Sequence, residues 1–138
     1  MREIFTLSAF ETSVGPFFDA LLRRKAGLVL NVRLRNTNQL CGFTKQKGLE
    51  YLISRITGAG YVHDLRFAPT HELLKLYQGH LIDRNEYRKQ YVMLMHSRGA
   101  GRTFQSTYGA YFSVCILGAA TKKRRSYSEA LVQLLTDK

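Results

Sequence analysis

Two segments carry most of the side chains suited to chemistry, and both are rich in cations. The first is Arg33-Leu34-Arg35-Asn36-Thr37-Asn38-Gln39-Leu40-Cys41-Gly42-Phe43-Thr44-Lys45. Guanidiniums beside amides and hydroxyls can cradle an oxyanion, because each aims an N–H or O–H donor at it. Arg33, Arg35, Asn36, Gln39, Thr44 and Lys45 are the candidates for that role. The competing reading is a solvated loop whose asparagines serve turn chemistry. The second segment is Gly118-Ala119-Ala120-Thr121-Lys122-Lys123-Arg124-Arg125-Ser126-Tyr127-Ser128. Lys122, Lys123, Arg124 and Arg125 approach an expected helix start, where exposed amides also favour an anion. Four like charges repel one another unless an anion or solvent screens them. A merely solubilising loop would carry the same residues.

A third segment, His63-Asp64-Leu65-Arg66-Phe67-Ala68-Pro69-Thr70-His71, offers acid–base chemistry. His63 and Asp64 are its candidate catalytic residues, able to shuttle a proton. A structural arrangement is open too: Asp64 paired with Arg66, Thr70 capping a helix, and His71 on its wet first turn. His80 and His96 fall on expected surface segments. No spaced set of His, Cys and Asp occurs, so no metal is expected. P-loop and G-x-G-x-x-G patterns are missing despite Gly99-Ala100-Gly101, and no cofactor is expected. Without G-x-S-x-G, a hydrolase nucleophile has no support. Residues 97–102 are Gly-rich and read as a loop. Arg98 and Arg102, close before Phe104 and Tyr108, mix cations with aromatics as single-stranded nucleic-acid sites do, although aromatics leading into a strand more often belong to the core.

These segments need elements to position them. Four apolar runs read as strands: residues 4–7, 28–32, 61–63 and 111–117. The second and fourth do not alternate, the mark of a covered parallel sheet. Helical patterns lie between them. Val14, Phe17, Phe18, Leu21 and Leu22 share one face, with Ser13 as cap, Pro16 in the first turn and Gly27 as stop. Leu49, Leu52, Ile53 and Ile56 mark a second helix ending at Gly58-Ala59-Gly60. Thr70 opens a third with Leu73, Leu74 and Tyr77. Asp83-Arg84-Asn85-Glu86 reads as a capping box before Tyr87, Tyr91, Leu94 and Met95. The last helix holds Leu131, Leu134 and Leu135. The order β-α-β-α-β-α-α-β-α predicts an α/β fold: a mainly parallel sheet of about four strands with helices on both faces. Ligands of such sheets bind beyond the carboxyl ends of the strands, where all three segments fall.

The 138 residues suit a single domain, and 45% apolar content supplies a core. The charge is lopsided, with 21 Lys and Arg against 10 Asp and Glu, a net +11. Such a field draws nucleic acid or other polyanions and says nothing of fold. No apolar run reaches the ~18–20 residues that span a bilayer, so no membrane association is expected. The opening residues lack a signal peptide's apolar stretch, and a cytoplasmic setting is expected. Cys41 and Cys115, without CxxC partners, read as buried free thiols, with a single disulfide between them open on count alone.

The assembled motifs resemble the DUF488 family of uncharacterised α/β proteins. The resemblance rests on residues 28–33 followed by Asn36-Thr37-Asn38-Gln39-Leu40 and Gly42-Phe43-Thr44-Lys45. Gly60-Tyr61-Val62-His63 and Ala68-Pro69-Thr70 extend it. Two departures stand out. Asn31 occupies the place of the family's usual Asp. The family's closing Cys-x-x-Cys, acid and Cys-His-Arg keep only Cys115, with Gly118, Ala120 and Ser126-Tyr127-Ser128 at the other places. The resemblance implies an α/β fold and a cytosolic setting, and it names no reaction. Three functional readings follow from the residues. One is nucleic-acid or phosphate-ligand binding in a basic strand-end crevice. Another is an enzyme acting on a small anionic or nucleotide-like substrate. The third is an interaction protein whose charge gives solubility.

Overall fold

A computed structural model of the chain describes residues 3–8, 14–32, 46–118 and 128–136. Glu3–Ser8 (β1), Leu28–Asn31 (β2), Gly60–His63 (β3) and Ser113–Gly118 (β4) form one all-parallel sheet. The strand order is β1-β4-β2-β3. The central strands β2 and β4 are buried along their whole length. Their uninterrupted aliphatic runs follow, since a covered strand has no wet face.

Among the described residues six helices connect or follow the strands, three of them in succession between β3 and β4: Val14–Arg23 (α1), Gln46–Thr57 (α2), His71–Gln78 (α3), Arg84–Ser97 (α4), Ala100–Tyr108 (α5) and Ser128–Thr136 (α6). Successive strand side chains point to opposite faces, and two cores result. On one face Phe5, Val29, Cys115 and Leu117 meet Phe17, Phe18 and Leu21 of α1 and Ile53 of α2. On the other, Leu28, Leu30, Val114 and Ile116 meet Leu73, Tyr91, Phe104 and Leu131 from α3 to α6. The expected α/β architecture with helices on both faces is what the chain adopts.

Local chemistry explains the helix ends. Thr70 accepts a hydrogen bond from the Leu73 amide, and Asp83 from the Glu86 amide at 2.8 Å. The expected capping box is one-sided: the Glu86 carboxylate accepts from Gln90 one turn on. Gly27 is not the stop for α1. Lys25 is, in the left-handed region at φ 53°. The Ala26 amide reaches the Leu21 carbonyl and the Lys25 amide reaches that of Leu22, the paired bonds of a Schellman cap. His80, at φ 60°, closes α3 in the same way.

Two expectations need correction. The Gly-rich stretch at 97–102 is no loop: α4 runs through Ser97, and α5 starts at Ala100 after a turn at Gly99. Gly99 sits at φ 63°, which glycine alone adopts without strain. A fifth helix therefore lies between β3 and β4, and Phe104 and Tyr108 belong to the core. The last strand starts at Ser113, leaving Tyr111 and Phe112 exposed before it. Of the two cysteines, Cys115 is buried and free, with its thiol pushed up by burial; Cys41, like Ser13, lies outside the described residues. Among the described residues no helix is long and apolar enough to cross a membrane.

Candidate functional site

All four strands run parallel, so all end at one rim. The central pair end side by side: the Val32 amide donates to the Leu117 carbonyl at 3.2 Å. The next exit is equally close, because the Asp64 amide donates to the Asn31 carbonyl at 3.0 Å. Residues 33–45 begin at the exit of β2, and residues 119–127 begin at the exit of β4. Arg33, Arg35, Asn36, Gln39, Thr44, Lys45, Lys122, Lys123, Arg124 and Arg125 all lie outside the described residues. Their sequence still matters here. The seven cations in these two stretches, with no acid among them, make up seven of the eleven net charges.

The described part of the rim is built around Asn31, Asp64 and Arg98. Asn31 is fully buried, and its amide donates to the Tyr61 hydroxyl at 2.9 Å. His63, half-buried, stands in register with it on the edge strand. Asp64 follows immediately and is the N-cap of a 3-10 turn, Leu65–Phe67. It accepts the Arg66 amide at 3.0 Å and a forked contact from the Arg66 guanidinium, Nη2 lying 2.8 Å from Oδ2. The Tyr108 hydroxyl donates to the same Oδ2 at 2.6 Å.

Electrostatics follow from this crowding. Burial alone would raise the Asp64 carboxyl, but hydrogen bonds from Arg66 and Tyr108 outweigh it and hold the group below 3.8. Burial and the donated bond to Asp64 push the Tyr108 hydroxyl up to about 12. A carboxylate held this way is a weak proton acceptor near neutrality. Its geometry is that of a structural anion tying the end of β3 to α5.

Arg98 grips the same turn from outside. Its Nη1 donates to the carbonyls of Arg66 at 2.9 Å and Ala68 at 2.7 Å. The Tyr91 hydroxyl donates to the Phe67 carbonyl at 2.6 Å. Three side chains, Tyr91 of α4, Arg98 at its C-cap and Tyr108 of α5, thus hold the turn after β3. Sequence reading pairs Asp64 with Arg66 but misses Tyr91, Tyr108 and the Arg98 clamp. The signal for the tyrosines was present, since a Tyr on an apolar helix stripe needs a partner for its hydroxyl. His71, His80 and His96 are exposed. Among the described residues no group of three His, Cys, Asp or Glu could hold a metal ion. Comparisons with family models, with curated proteins and with solved structures find no match.

Proposed function

We propose that the protein binds a phosphate-bearing polyanion, nucleic acid being the best fit, at the carboxyl rim of its sheet. One observation carries the reading. The two acid-free basic stretches leave from hydrogen-bonded neighbours, β2 and β4, at the same end. Cations anchored side by side repel unless a shared counterion relieves them. Arg33, Arg35 and Lys45 are the cations of the stretch that follows β2, and Lys122, Lys123, Arg124 and Arg125 those of the stretch that follows β4. Asn36, Gln39 and Thr44 add neutral donors. In this reading the chain is a divergent DUF488-like protein that keeps the family's cradle residues without its closing Cys and His motifs.

Fluorescence anisotropy with labelled single- and double-stranded oligonucleotides tests it. Affinity is expected to fall steeply between about 50 mM and about 200 mM salt, because bound phosphates release counterions. Replacing Lys122, Lys123, Arg124 and Arg125 together by Ala should weaken binding whatever the base sequence. Absence of salt-sensitive binding at micromolar protein would refute the proposal.

A further inference from the structure

Beyond the basic stretches, the described residues hold a groove of about 460 Å³ beside the turn that follows β3. It is lined by Leu65, Arg66, Phe67, Arg98, Ala100 and Thr103. The volume lies in the ~300–1,000 Å³ range of small-molecule sites. We infer that this groove binds a phosphate monoester carrying a flat apolar group, of which a nucleoside monophosphate is the type. The inference stands independently of the polyanion reading, since it uses none of the residues at 33–45 or 119–127.

Donor accounting comes first. Arg66 meets Asp64 through Nε and Nη2, so the planar guanidinium turns Nη1 away from the carboxylate. Arg98 spends only Nη1 on the turn carbonyls. Its Nε–Nη2 edge, the one suited to bidentate oxyanion contact, is uncommitted. Thr103 adds a hydroxyl with no hydrogen bond of its own. Among the described residues no acid lines the groove, and Asp64 neutralises only one of the two guanidiniums. The remaining donors exceed what a carboxylate's two oxygens can take, whereas a phosphate monoester offers three terminal oxygens.

The rest of the wall is apolar. Leu65 is 53% exposed beside the guanidiniums. A half-wet leucine next to cations suits a ligand with a charged end and a flat greasy end. Ala100, the first residue of α5, also lines the groove. Gly99 gives that helix no side-chain cap, and no acid lies in its first turn. The positive end of its dipole adds to the field made by the arginines.

Titration of the full chain with adenosine 5′-monophosphate, adenosine and inorganic phosphate, followed by amide chemical shifts, tests the inference. The monophosphate should bind at least about tenfold tighter than either fragment, since only it engages both ends. Shifts should centre on Leu65, Arg66 and residues 98–103. Thr103→Glu places a carboxylate at the groove and suits a first helical turn, so the fold should survive. It should weaken binding by at least about tenfold, and Thr103→Gln, which exchanges the hydroxyl for an uncharged amide donor, should weaken it several-fold less than Thr103→Glu does. The fourfold Ala variant at residues 122–125 should bind the monophosphate as wild type does. Equal binding of adenosine and the monophosphate, shifts centred elsewhere, or an unaffected Thr103→Glu would overturn it.

Discussion

Asp64, a catalytic candidate by sequence, is the centre of a hydrogen-bonded network. It takes five hydrogen bonds, from the Arg66 amide and guanidinium and from Tyr108. Replacing it with Ala removes the cap of the 3-10 turn and strands the Tyr108 hydroxyl, and should cost about 3 kcal/mol. Urea denaturation measures that loss. Its pH dependence follows from the lowered carboxyl. The stabilisation is complete above the unfolded-state value of 3.8 and fades as pH falls through the lower folded-state value. The stability gap between wild type and Asp64→Asn should therefore narrow only in acid below that point. A gap that closes nearer neutrality would mean the carboxyl is not held down. Tyr91→Phe should cost about 1–3 kcal/mol, because it leaves the buried Phe67 carbonyl without its donor. The Asp64–Arg66 pair was legible from spacing alone. Tyr108 was not, because its partner lies 44 residues away in sequence.

Elements were legible where local chemistry decides them. Thr70 and Asp83 cap helices as their side chains predict, and the aliphatic runs at β2 and β4 are the buried central strands. Three departures have physical causes. Gly99 and Gly101 look like loop residues, yet one glycine supplies a left-handed turn and the next helix starts at once. Tyr111 and Phe112 have strand-like side chains, but they precede the sheet. The α1 stop falls on a lysine because the chain must turn back there to enter β2. Lys25→Gly should thus stabilise the protein by about 1 kcal/mol, the strain of a left-handed side-chain residue being relieved. Gly99→Ala should destabilise it by a similar ~1 kcal/mol; no atom crowds the added methyl, so backbone strain is the cause. Thermal unfolding of the two variants should shift in opposite directions.

For the whole molecule, the decisive fact is that strands distant in sequence are neighbours in space. The chain passes from β1 over to β2, out to β3 and back to β4 between β1 and β2. Composition announced the cationic excess, and alternating elements announced the parallel sheet. The strand order was not legible, and it is what brings the two basic stretches to adjacent exits. The central claim is that both stretches grip one polyanion. The most direct measurement is the slope of log affinity against log salt for a single-stranded oligonucleotide. It requires wild type, an Arg33, Arg35 and Lys45 triple-Ala variant, the fourfold variant at residues 122–125, and their combination. Each variant should lose slope by about 0.7 for every phosphate contact removed, and the combination should lose nearly all of it. A wild-type slope retained in either single-stretch variant would contradict the claim.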